Sequence, residues 1–306
     1  MSDTNTPGIS ATDAGLAGFR ILREKPMVWP AWAIASMAVS ILTAILMVTL
    51  AGPALAEITE LSRSATPDPQ ALFPLYAKLG PAMLVMAPIF LAFYAVLYAA
   101  ASRIVLRPED RGFGWMKLGG DEVRQGLALI AISLILIGAY LAVIIAAALL
   151  GAVAGMISPV LGGLIAVLAF LAALGGLIYV AIRLSFVSPA TFATGRIDIR
   201  AAWALTKGRV GMLLGAYLLS LVMAIIVGIV GTGAFFLVGM LVFGLADTAK
   251  AVLEPDMTSM STMFPPASIA YYIWSAVVSG ITAVIAMAPA PTLYRQIVGG
   301  EQTVFD

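Results

Sequence analysis

The run Ile130-Ala-Ile-Ser-Leu-Ile-Leu-Ile137 lies inside an interval, 125–182, that carries no charged side chain. Its apolar residues do not alternate with polar ones, as a membrane β-strand of about ten residues would require. In hydrocarbon every backbone N–H and C=O must be paired within its own segment, so such a run is read as helix. About 20 apolar residues cross a hydrocarbon core of roughly 30 Å. The interval therefore holds two crossings, with the break at Gly151-Ala-Val-Ala-Gly-Met-Ile-Ser-Pro159, where glycine and proline punctuate the helix.

Working outward, four more charge-free intervals follow the same logic: 26–56, 79–102, 210–246 and 257–294. They predict an all-α polytopic integral membrane protein with six transmembrane helices, at 31–52, 81–102, 126–150, 159–182, 211–232 and 269–292. The composition agrees: 61% of the 306 residues are hydrophobic, 11% are charged, and mean hydropathy is +1.03. The expected organisation is a polar, disordered tail over 1–13, one six-span domain over 14–295 and a second tail over 296–306. Ala54-Leu-Ala56 before Glu57 resembles a signal-peptidase site, but the apolar run before it exceeds the about 7–15 residues of a signal h-region.

Lys and Arg near span ends mark the cytoplasmic side. With the N-terminus inside, all of the 17 basic residues except Arg63, Lys78 and Lys250 fall on cytoplasmic segments, and both termini are cytoplasmic. Each pair of spans also follows a basic stretch with an aromatic residue: Phe19-Arg-Ile-Leu-Arg-Glu-Lys25, Trp115-Met-Lys117 with Arg124, and Arg200-Ala-Ala-Trp203-Ala-Leu-Thr-Lys207. This fits three helical hairpins, each preceded by a basic interfacial segment. It also fits the ordinary alternation of basic loops and apolar hairpins in any multi-span chain.

The third basic segment carries the main candidate site. Asp198 is placed to cap a helix on which Arg200, Trp203 and Lys207 share one face. Trp203 would sit at headgroup depth, with the cations near lipid phosphates. In the first segment, a helical projection puts Arg20, Arg23 and Glu24 opposite Phe19, Ile21 and Leu22. Asp121 is placed to cap the helix after Gly119-Gly120. The pairs Glu109-Asp110 and Asp121-Glu122 could suggest catalytic carboxylates, but a turn after Pro108 and a helix start account for them.

Histidine and cysteine are absent, which excludes a Ser–His dyad and a His- or Cys-ligated metal site. No Asp or Glu falls mid-span, which argues against proton coupling through a membrane carboxylate. No catalytic residue and no cofactor are expected. Near-neutral charge gives no attraction to nucleic acid. Gly151-x-x-x-Gly155 and Gly211-x-x-x-Gly215 offer flat surfaces for helix packing, and Gly231-Thr-Gly233 is a candidate break in a long apolar run.

Arg183-Leu-Ser-Phe-Val-Ser-Pro189, followed by Ala202-Trp203-Ala-Leu-Thr-Lys-Gly-Arg209 and Leu213-Leu214, resembles the membrane domain associated with bacterial glycerophosphoryl diester phosphodiesterases and related membrane proteins. Ala193-Thr194-Gly195 departs from the Glu-Gly that many of these carry. A phosphodiesterase barrel of about 250 residues has no room here. The resemblance therefore implies a bacterial cytoplasmic-membrane protein without that activity. The expected function is a non-enzymatic module that binds membrane lipids or another membrane protein through Arg183, Arg200, Trp203, Lys207 and Arg209. The alternative is a permease or lipid-translocating facilitator.

Overall fold

Hydrophobic length dictates the architecture: six helical segments are long and apolar enough to cross a membrane. The computed structural model describes residues 9–62, 69–256 and 258–305. Among them there is no β-strand, only an isolated bridge between Phe113 and Met116. The helices are α1 (Ala11–Gly15), α2 (Ala17–Glu24), α3 (Val28–Ser62), α4 (Pro69–Lys78), α5 (Gly80–Leu106), α6 (Gly120–Gly155) and α7 (Pro159–Leu184). They continue as α8 (Val187–Thr194), α9 (Ile199–Leu205), α10 (Val210–Phe243), α11 (Leu245–Leu253), α12 (Met260–Met263), α13 (Pro266–Met287) and α14 (Pro289–Phe305).

The spans pair as hairpins: α3 with α5, α6 with α7, and α10 with α13. The first and third hairpins join through α13, which lies between α3 and α10. The middle hairpin joins the others chiefly where α6 packs on α5. Only 6% of the most apolar window of α6 or α7 is buried, against 17–33% in the other spans, so this hairpin turns most of its surface to lipid. Glycine sets its own packing: a Cβ on Gly162 would lie 2.7 Å from the Gly155 Cα.

At one end, the short helices α1, α2, α8 and α9, together with α14 and the irregular segment 107–119, form a cap over the spans. One apolar cluster joins Trp32, Leu97, Ala100 and Trp115; another joins Phe186, Val187, Leu213 and Leu293. We call this the basic end, because Arg103, Arg107, Lys117 and Arg124 gather there.

Several expectations need correction. Of the tail expected over 1–13, residues 1–8 lie outside the described residues, while Ser10 caps α1 by accepting from the Asp13 N–H. Residues 296–305 continue α14 as helix. The sixth span breaks at Ala288, before the proline that opens α14. Helix α10 runs through Gly231–Gly233 and ends at Gly244, whose φ of 85° suits glycine. Nothing packs on Gly211 or Gly215, whereas Gly151 meets Ala166 and Gly162. Phe19 is exposed beside Arg20 instead of facing the core with Ile21. The segment before α6 is irregular, so the three basic segments are not structural copies.

Candidate functional site

Two arginines at the basic end are almost wholly buried, and their surroundings differ in a way that separates scaffold from site. Arg103, near the end of α5, is 1% exposed. Its Nε donates to Asp110 at 3.1 Å, one Nη to the Trp115 carbonyl at 2.7 Å and the other to Glu122 at 2.6 Å. Asp121 lies 3.7 Å away and also meets Arg107 and Arg124. Asp121 therefore pairs with cations instead of capping α6, whose N-cap is Gly119. Lys117 closes the network on Asp110.

These carboxylates converge, but on a guanidinium that uses them fully. A buried ion cluster persists only where each charge has partners, and this one ties α5, the segment 107–119 and α6 into one unit. The Lys117 hydrogen bond, with the charges of Lys117 and Arg103, holds the Asp110 carboxyl below its ordinary pKa. Around it, Lys25 Nζ donates to the Ile104 carbonyl at 2.8 Å and Arg295 to the Val105 carbonyl at 3.0 Å, placing cations at the C-terminus of α5. Burial lowers the Lys25 pKa, ahead of the opposing charge of Glu24. Trp32 Nε1 donates to the Gly114 carbonyl at 2.9 Å, fixing the segment against α3.

Helix α8 is the buried hub of this end. Its Phe192 ring lies under Arg103 and Arg107, at 5.2 and 4.6 Å, and Gln125 donates to the Ser188 carbonyl at 2.8 Å. The turn that leaves α8 is made at Gly195, with φ of 68°.

Arg183, in the last turn of α7, presents the opposite case. It is 4% exposed, yet no carboxylate pairs with it among the described residues, and its Nε is buried without a hydrogen-bond partner. Its guanidinium stacks on the Trp203 indole at 4.5 Å, and Tyr179, one turn earlier, meets the same indole edge-on at 6.4 Å. The Thr206 hydroxyl donates to the Arg183 carbonyl at 3.2 Å, so the end of α9 is bonded to the end of α7.

The other sequence candidates are arranged around this pair. Asp198 caps α9 through the Ala201 N–H at 2.9 Å. Helix α9 ends at Leu205, so Arg200 shares it with Trp203 while Lys207 lies in the turn beyond; the single helical face expected for all three is not formed. Arg200 and Lys207 are exposed, and Arg209 is half-buried with one Nη donating to the Leu205 carbonyl at 2.9 Å. The structure thus brings Arg183 and Trp203 into contact and holds Arg200, Lys207 and Arg209 on the same short segment.

Two cavities adjoin beneath the cap. One, of about 410 Å³, lies between α5, α6, α7, α8, α10, α13 and α14, with Tyr98, Ser185, Ser188 and Tyr217 among its walls. It shares Ala286 and Met287 with a second, of about 570 Å³, lined by Ser36, Ser40 and Phe90. A wider cleft, of about 880 Å³, lies at the opposite end beside Glu60 and Glu254; no group of side chains among the described residues could hold a metal ion.

Sequence reasoning missed Arg103 and α8. Arg103 looked like one more basic residue at a span end, and the short apolar run 187–192 gave no sign that it would be buried among charges. In comparisons with family models, curated proteins and solved structures, nothing matches the chain.

Proposed function

We propose that this chain is a non-enzymatic bacterial inner-membrane module that binds the phosphate of anionic lipids at Arg183 and Trp203. In this reading Arg200, Lys207 and Arg209 supply the surrounding positive field, and the basic end, with both termini, faces the cytoplasm. One observation carries it: Arg183 is a buried cation with no anion beside it among the described residues and an unpartnered Nε. Burying an unpaired charge is costly, and an anion with acceptor oxygens removes that cost. The bias of basic residues to this end supports the orientation. The likeness of residues 183–209 to a bacterial membrane domain belongs to the same proposal.

The test is mass spectrometry of lipid retained by the full chain from vesicles of phosphatidylglycerol and phosphatidylethanolamine. Selective retention of phosphatidylglycerol, weakened in an R200Q/K207Q double variant that still folds, supports the reading. Unselective retention overturns it, and a co-purifying protein in its place favours a partner-binding module.

The second reading is a facilitator that moves lipid or solute. It draws on the two adjoining cavities and on a third, of about 120 Å³, that shares Ser40 and Ser279 with the second. Among the described residues, no charged side chain lines any of the three. Flux across vesicles containing the protein separates this reading from the first.

A further inference from the structure

Helix α7 presents two different faces at the basic end. Tyr179 and Arg183, four residues apart, meet Trp203. Ile178, Ala181, Ile182 and Ser185, at spacings of three and four, line the 410 Å³ cavity on the adjoining face. The anion site and the cavity are therefore neighbours that share a helix but no lining side chain of α7.

The cavity has a polar end and apolar walls. Tyr217 donates to Ser185 Oγ at 2.7 Å, and Ser185 in turn donates to the Ile182 carbonyl at 2.7 Å. The hydroxyls of Ser188 and Tyr98 make no hydrogen bond among the described residues. Ser188 is 5% exposed, and its Oγ is buried without a partner. Serine and threonine hydroxyls in helices ordinarily bond a carbonyl one turn back, as Thr194 does with Ala190 at 2.8 Å. Ser188 and Thr191 of α8 do not, and of the two Ser188 lines the cavity. A buried, unbonded hydroxyl at a cavity wall calls for an acceptor inside the cavity.

The chemistry of that acceptor follows from what is absent. No charged residue among those described lines the cavity, so a phosphate or carboxylate placed there would be desolvated without compensation. A neutral carbonyl is suited to the hydroxyls. The remaining walls are apolar, including Leu129, Leu214, Leu218 and Leu221, and Ala286 and Met287 also line the adjoining second cavity. A hydrocarbon chain attached to a carbonyl fits both parts.

We infer that this cavity holds one acyl chain of a bilayer lipid, with its ester carbonyl accepting hydrogen bonds from Ser188 and Tyr98. The occupant is recognised by its ester and hydrocarbon, independently of headgroup charge. This site therefore stands whether or not Arg183 binds phosphate.

The experiment uses the full chain in phosphatidylcholine vesicles containing a trace of phosphatidylcholine with a photoreactive diazirine on one acyl chain. Labelling should be several-fold stronger on peptides bearing Tyr98, Ile182 and Leu214–Leu221 than on the lipid-facing surface of α6 at Leu134 and Ile137. It should fall to the α6 level in Ala181→Phe, which fills the cavity, and drop in Ser188→Ala, which is small enough to leave the fold intact. Arg183→Gln should leave it unchanged, which separates this site from the headgroup proposal. Labelling at the α6 level in the native chain, or unaffected by both cavity variants, overturns the inference: the space would then hold water or ordinary boundary lipid. Labelling by a diazirine fatty acid but not by the phospholipid also overturns it, because the occupant would be a free acid.

Discussion

Arg183 lies over the indole of Trp203, 4.5 Å from the ring centre, twenty positions earlier in the chain and on a different helix. Arg103, equally buried, spends its donors on Asp110, Glu122 and the Trp115 carbonyl. The contrast places one guanidinium in a closed ion network and leaves the other without an anion among the described residues.

Replacing Arg183 by Gln should therefore weaken phosphatidylglycerol retention while leaving thermal stability unchanged or higher. A hydrogen bond to a charged group contributes about 1.5–3 kcal/mol, so retention should fall about tenfold or more. Arg183→Lys should rescue only part of it, because an ammonium lacks the planar fork and stacks less well on Trp203. Lipid titration and thermal unfolding of the same samples check this. A lower Tm with full retention would make Arg183 a structural residue.

The Arg103 cluster predicts the reverse pattern. Arg103→Leu leaves Glu122, itself 6% exposed, without its closest cation. Breaking such a buried pair costs about 3–5 kcal/mol, enough to unfold a marginal protein. The exposed Lys78–Glu57 pair is the internal control, since surface pairs contribute about 0–1 kcal/mol. Thermal unfolding in detergent should rank Arg103→Leu far below Lys78→Ala. Equal Tm values would remove the scaffold role of Arg103.

Acid should act on the same cluster through Asp110. Its folded-state pKa lies below the ordinary 3.8, chiefly because of the Lys117 hydrogen bond. A depressed carboxylate contributes stability that is present above 3.8 and lost as the pH falls through the folded value. Thermal stability of the native chain should fall as the pH drops below about 4, and Asp110→Asn should flatten that part of the profile. An unchanged slope in the variant would place the acid sensitivity elsewhere.

The spans were legible because bilayer length and backbone hydrogen bonding leave one solution for long charge-free runs. Asp198 as a cap, and the turn before Pro159, could be read because such signals are local. The site was only half legible. Arg183 and Trp203 were both candidates, but their contact depends on how α9 folds back on α7. The Arg103 cluster joins residues on α5, in 107–119 and on α6, and no periodicity encodes that convergence. Of the two glycine pairs, Gly151 and Gly155 do meet α7 at Gly162, whereas Gly211 and Gly215 misled for a related reason: a flat surface matters only if a neighbour arrives, and none among the described residues reaches them.

Gly280 tests the packing of the first and third hairpins directly. A Cβ there would lie 2.6 Å from the Trp29 carbonyl oxygen and 2.8 Å from the Ala33 N. Both are backbone atoms of α3, so no side-chain rotation relieves the clash and the helices themselves must part. Gly280→Ala should cost about 1–3 kcal/mol, as overpacking does in well-packed interiors. Gly138, in α6, has nothing within 4 Å of the same added atom. There the substitution only removes backbone freedom, which favours the helix by about 0.5–1 kcal/mol. The two variants should move Tm in opposite directions from the native value. A Gly280→Ala protein as stable as Gly138→Ala would mean that α3 and α13 are not held at this distance, and that the cavities along α13 are not fixed either.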